Sequence, residues 1–220
     1  MFKRRVAGFV LGTTAVLFAG VLFASNMAFK LKYILDGPGN GVSRSGTNTI
    51  SLPYFPMDGL ARAGDLRDDI NGGPGRAGPA VQIAMFDKST NSLVTYDGFS
   101  GPNFPLVAGE GYFVQMDSTV VYIIVGSHDP STAVTFDAAG AGSLDGTNFY
   151  AYPYHATAGM ASELQGEIGV VQNIQRFVRS NDTIDVYTGS RGSSMDFNLV
   201  SGEAVFVKVS ATVNFVPPHY

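Results

Sequence analysis

Hydrophobic and polar positions divide the chain into two kinds of sequence. From Val6 to Ala24 it is almost unbroken apolar, "VAGFVLGTTAVLFAGVLFA". Beyond that it becomes short alternating runs broken by Gly and Pro. In "TISLPY", Ile50, Leu52 and Tyr54 alternate with Thr49 and Ser51, which predicts a half-buried strand. "VQIAMF", turn "DKSTNS" and "LVTY" predict a hairpin, and "VQNIQRF", turn "VRSNDT" and "IDVY" predict another. "LARAGDLRDDI" and "MASELQGEI" carry apolar residues at roughly helical spacing, one short helix each. "GYFVQM" with "TVVYIIV", and "AVFVKV" with "TVNFV", supply closing strands.

These elements occur twice in the same order. Gly46-Thr47-Asn48 matches Gly146-Thr147-Asn148, Pro53-Tyr54 matches Pro153-Tyr154, and Leu66 and Ile70 match Leu164 and Ile168. Phe86 aligns with Phe177 and Tyr96 with Tyr187. "NFPLVAGEGYFVQM" aligns with "DFNLVSGEAVFVKV". The sequence therefore predicts a mainly β protein built as two tandem, internally duplicated small barrel or sandwich modules, each with one short helix. The first copy is expected over residues 29–126, a linker at 127–131, and the second copy over 132–220. The Gly/Pro-rich "NGGPGRAGP" (71–79), nearly absent from the second copy, predicts an exposed loop.

Residues 1–28 stand apart. Lys3, Arg4 and Arg5 before the apolar run, with small residues near "ASNMA", read as a secretory signal peptide. The run is also long enough for a retained membrane anchor, and both readings stay open. Removing the segment takes away three of the 14 Lys and Arg and none of the 18 Asp and Glu, leaving a net charge of −7. Such a surface repels phosphate backbones, so nucleic acid is not an expected partner. With no cysteine, each module must be held by its apolar core alone, and thiolate metal sites and cysteine catalysis are excluded.

The candidate chemistry is thin. Glu110 follows Gly109 and Glu203 follows Gly202, each two to three residues after a Leu-Val pair. A carboxylate kept in both copies suggests a shared hydrolytic site, but retaining glycosidases need two carboxyls about 5 Å apart. No second shared acid stands beside Glu110. The simpler reading makes Gly109 and Gly202 turn residues with positive φ, their glutamates solvated or accepting backbone N–H bonds. Tyr150, Tyr152 and Tyr154 resemble a stacking platform, yet their alternation with the first copy's Ile50, Leu52 and Tyr54 places them inward. A weak ligand-binding reading remains for the loops around Tyr54-Phe55 and Tyr154-His155. His128, His155 and His219 have no metal-binding spacing. "DLRDDING" lacks the order of a calcium loop. No metal or cofactor is expected.

"NTISLPY" opening a unit and "GEGYFV" closing it resemble the "WNLVSLP … GxGYWV" modules of exported bacterial surface and S-layer-associated proteins. In this sequence Thr47 and Thr147 stand where that group has Trp, and the second copy reads "GEAVFV". The resemblance implies a secreted, β-rich structural or binding module, often repeated and usually without an assigned activity, and it supplies no catalytic residues. The expected function is therefore a non-enzymatic structural or interaction protein of the cell surface or extracellular matrix. Its partner would be a protein, an envelope or matrix component, or a second copy, with membrane contact only through an uncleaved N-terminal segment. An extracellular carbohydrate- or ligand-binding module is the alternative, and a secreted hydrolase a more remote one.

Overall fold

The computed structural model describes residues 29–52, 55–56, 59–127, 132–189 and 195–218. The N-terminal segment, Tyr54, His219 and linker residues 128–131, including His128, lie outside the described residues.

Among the described residues the fold is mainly β, made of open antiparallel sheets with no closed barrel. In the first module, β1 (Phe29–Leu35) pairs with β7 (Val120–Ser127), which also pairs with the short β3 (Phe55–Pro56). A four-stranded sheet runs β2-β6-β4-β5, from β2 (Thr47–Ser51), β6 (Gly111–Met116), β4 (Ala80–Asp87) and β5 (Ser92–Tyr96). The second module repeats this plan. Its sheet runs β9-β12-β10-β11, from β9 (Thr147–Ala151), β12 (Ala204–Val209), β10 (Val171–Val178) and β11 (Thr183–Tyr187). Its outer ribbon is β8 (Val134–Phe136) with β13 (Val213–Phe215). Even the irregularities repeat. β4 shifts register between Ala80 and Gln82, and β10 between Val171 and Asn173. The hairpin turns place Asn91 at φ +55° and Asp182 at φ +58°, the left-handed region that Asn and Asp tolerate.

Helices α1 (Ala63–Ile70) and α2 (Ala161–Ile168) start where neither Arg62 nor Met160 can cap with a side-chain oxygen. An acid in the first turn accepts the orphan N–H groups instead. The Asp65 carboxylate takes Arg62 N at 2.8 Å, and Glu163 takes Met160 N at 3.2 Å.

Each module's core lies between its four-stranded sheet and the layer formed by its ribbon and helix. Ile50, Leu66, Ile83 and Val114 meet Leu35 and Ile124 in the first module; Tyr150, Leu164, Ile174 and Val207 meet Phe136 in the second. The alternation in "TISLPY" holds in part. Ile50 and Leu52 are buried, but so is Ser51. The strand is not half-buried, because the other face of its sheet lies against the second module. β9 is buried along its whole length for the same reason.

That contact contains a third apolar cluster. Phe149 stacks on Phe113 at 4.7 Å and on Phe206 at 4.4 Å. Phe86 meets Phe206 edge-on at 5.2 Å, and its counterpart Phe177 meets Phe113, the counterpart of Phe206, at 5.9 Å. Gly111 makes the approach possible, since a Cβ there would fall 2.3 Å from the Ala204 Cβ. The contacts are reciprocal, as an approximate two-fold relation between the modules requires.

Candidate functional site

The two Gly-Glu turns are built alike. Gly109 has φ +83° and Gly202 φ +93°, conformations that favour glycine. The following amides close the turns, Glu110 N donating to Val107 O at 3.2 Å and Glu203 N to Val200 O at 3.0 Å.

The turns also serve a purpose that turn chemistry does not require. Each touches the other module. Ala151 N donates to Gly109 O at 3.0 Å, and Ser51 N donates to Gly202 O at 2.8 Å. A Cβ on Gly109 would meet Val134 Cγ2 at 2.6 Å, and one on Gly202 would meet Tyr33 Cε1 at 2.8 Å. Each turn thus extends the other module's sheet past its β9 or β2 edge and presses on its ribbon.

A second reciprocal contact lies alongside. Lys88 Nζ is 2.6 Å from the Asp137 carboxylate, and Arg179 Nη1 is 2.9 Å from that of Asp36. Behind each cation, a backbone bond crosses between modules. Leu144 N donates to Lys88 O at 2.7 Å, and Arg44 N to Arg179 O at 2.8 Å. The acceptor loops are held by Asn48 and Asn148. Asn48 Oδ1 accepts Asp36 N at 2.9 Å while its Nδ2 donates to Asp36 O at 3.0 Å; Asn148 does the same for Asp137 at 2.9 and 3.1 Å.

Glu110 and Glu203, expected to be solvated or to accept backbone N–H bonds, are half-buried. Burial pushes both carboxyls above the usual carboxylate range. The Lys88 ammonium opposes the shift at Glu110, and the Arg179 and Arg176 guanidiniums oppose it at Glu203. Among the described residues, the charges acting on each glutamate's shift are these cations. Each glutamate lines its own cavity. The Glu110 cavity holds about 30 Å³ and the Glu203 cavity about 250 Å³, and neither is lined by both residues. The smaller is lined by Phe149, where the larger has its counterpart Thr49.

The aromatic candidates divide. Tyr150 and Tyr152 are core residues, as the alternation predicts. Tyr154 is half-buried and His155 is buried, their rings edge-on at 5.2 Å. Tyr54 lies outside the described residues; Phe55 belongs to β3. Among the described residues, no group of three or more His, Asp or Glu side chains is placed to hold a metal. No helix there is long and apolar enough to cross a membrane.

One larger space lies between the modules, on the face shared by the two hairpins. It is an open groove of about 660 Å³, floored by Phe86, Phe113, Phe177 and Phe206 and rimmed by amide and hydroxyl groups such as Gln82 and Gln115. Sequence reasoning did not find it, because its floor is assembled from strands of both modules. The ion pairs escaped for another reason: their acids lie upstream of the Gly-Thr-Asn that opens the detectable repeat. The signal available was an acid in both copies at Asp36 and Asp137, and a base in both at Lys88 and Arg179.

No family model, no curated protein and no solved structure matches this chain.

Proposed function

We propose that the protein is a non-enzymatic, exported structural or interaction protein of the cell surface or extracellular matrix. The observation that carries this reading is the use of both Gly-Glu turns as contacts between modules. The most suggestive carboxylates of the sequence face the other module, each in its own cavity, among cations and backbone. The basic and apolar N-terminal segment supports export, and the likeness to repeated surface modules supports a bacterial envelope setting. The test is N-terminal sequencing of protein recovered from culture medium, combined with binding to isolated cell envelopes. Envelope binding without turnover of polysaccharide or peptide substrates is expected. Hydrolysis lost on Glu110→Gln in a folded protein would contradict the reading.

A second reading, an extracellular ligand-binding module, is favoured by the groove. Its volume lies in the range of about 300–1,000 Å³ common for small-ligand sites, and its aromatic floor with amide rims suits a neutral ligand such as a sugar. Calorimetric titration with oligosaccharides, lost on Gln82→Ala with Gln115→Ala, would bring that reading forward.

A further inference from the structure

The outer ribbons of the two modules hold matching places, yet they present different chemistry to water. Alternation along β1 turns Leu31, Tyr33 and Leu35 toward the first module's core and leaves Lys30, Lys32 and Ile34 outward. Their cross-strand partners on β7 are Val125, Ile123 and Val121. Ile34 is 53% exposed, Val121 54% and Ile123 51%. Val121 lies directly opposite Ile34, and Ile123 is two residues along on the same face, so the three side chains form one apolar patch. The second module holds the comparison. Its ribbon keeps the register, with Phe136 opposite Val213 as Leu35 is opposite Val120. At the places of Ile34 and Val121 it carries Thr135 and Asn214, the Thr135 hydroxyl donating to Asn214 Oδ1 at 2.8 Å. The same fold closes with a polar outer pair, so packing does not require the apolar one.

The charges on this face are a second observation. Beyond residue 28 the lysines are Lys30, Lys32, Lys88 and Lys208. Lys88 is paired with Asp137 and Lys208 with Asp145. Among the described residues Lys30 and Lys32 have no ion pair, and both border the patch, Lys32 opposite Ile123 and Lys30 opposite Val125. No outward side chain of the two strands from Lys30 to Ile34 and from Val121 to Val125 is acidic, although residues 29–220 carry a net charge of −7. The third observation is where the ribbon begins. The apolar run Val6–Ala24 ends five residues before Phe29, the first residue of β1. Five residues span at most about 18 Å, so a bilayer holding that run comes within reach of the ribbon.

We propose that the outer face of the β1–β7 ribbon rests on an anionic bilayer surface, that of the bilayer holding the apolar N-terminal segment. The inference takes the anchor reading of that segment and adds a folded contact to it; the reading of the protein as an interaction protein stands without it. An exposed apolar patch with a polar rim marks a contact with protein or membrane. This one has the composition of the second. Protein interfaces draw their energy from Trp, Tyr and Arg and are depleted in Lys, whereas the outward side chains here are Ile, Val and Lys. Aliphatic side chains enter the boundary between headgroups and acyl chains, and lysine stems lie along apolar surface while their ammonium groups reach lipid phosphates. Each lysine held near an anionic surface adds to the attraction. The polar Thr135–Asn214 pair leaves the second ribbon without that combination.

The absence of cysteine allows a single label to be placed at will. The full chain carrying Ile123→Cys, or Asn214→Cys on the matching ribbon, is labelled with an environment-sensitive fluorophore. It is then reconstituted into vesicles of phosphatidylcholine with phosphatidylglycerol. Both positions are exposed, and an unchanged melting transition confirms that each variant is folded. The Ile123→Cys label is expected to shift to the blue, to be quenched by nitroxide-bearing lipid and to be shielded from aqueous iodide. The Asn214→Cys label is expected to behave as in water. Lys30→Gln with Lys32→Gln should lower the ratio of lipid-shielded to water-exposed Ile123→Cys label at least about tenfold. Equal access of iodide to the two labels would overturn the proposal. Shielding at Ile123→Cys that persists in detergent would assign the face to a second copy, and would overturn it too. A chain that stays with the vesicles while its ribbon is open to iodide would leave the N-terminal segment as the membrane contact and the interaction reading in place. A chain that does not stay with the vesicles would overturn the anchor reading together with the inference.

Discussion

Arg179, in the second module's hairpin, pairs with Asp36, in the first module's loop, at 2.9 Å. The matched pair, Lys88 with Asp137, runs in the opposite direction between the modules. The two bridges differ in how much water reaches them. The Asp36 side chain is 5% exposed, and that of Asp137 18%. Removing the cation therefore strands a more deeply buried charge at Asp36. Arg179→Met is expected to cost about 2 to 3 kcal/mol, less than the roughly 3 to 5 kcal/mol of a fully buried pair because solvent reaches Arg179. Lys88→Met should cost distinctly less. Urea denaturation of the two variants checks the order.

Glu110 and Glu203 have folded-state pKa values raised by burial. In the window between the ordinary glutamate value and the raised one, the folded protein holds more protons than the unfolded chain. Stability then falls as pH rises through that window and stays lower above it. Below the ordinary value both states are protonated and the effect disappears. The double variant Glu110→Gln with Glu203→Gln should flatten this dependence and be at least as stable as wild type at pH 7. Melting temperature measured from pH 4 to 8 reads it. An ion-paired role, with the carboxyl pKa values lowered on folding, would give the opposite sign.

The aromatic cluster between the modules sets a third expectation. Phe149 is 6% exposed and stacks on rings from both modules, so Phe149→Ala should cost about 3 to 5 kcal/mol. Gly111→Ala forces a methyl group into Ala204 and the Phe149 ring. Overpacking of that kind costs about 1 to 3 kcal/mol. Neither change touches the core between a sheet and its own ribbon, so both should lower the single unfolding transition or divide it in two. Differential calorimetry distinguishes these outcomes.

The period-two runs, the helical spacing and the duplicated Gly-Thr-Asn and Gly-Glu signatures made the elements of each module legible in the sequence. The observed hairpins fall where "DKSTNS" and "VRSNDT" place their turns. The relation between the modules was not legible. Ser51 and Thr49 read as solvent-facing because alternation reports only that one face differs from the other, not what covers the polar one. Glu110 read as a turn residue, solvated or accepting backbone N–H bonds, because a turn signature does not report what packs beside it. The repeat itself held part of the missing information, since residues matched in both copies but not needed by either core, such as Asp36 with Asp137, are candidates for contacts between copies. The groove had no sequence signal; it depends on how the two sheets sit in space.

The Gly-Glu turns join the modules, and two amides report on that contact directly. Ser51 N and Ala151 N donate to Gly202 and Gly109 of the opposite module. Native-state hydrogen exchange followed by NMR should find these two amides as protected as those of Val114 and Val207 in the module cores, opening only with global unfolding. Exchange of Ser51 and Ala151 at loop rates, while the core amides stay protected, would contradict it.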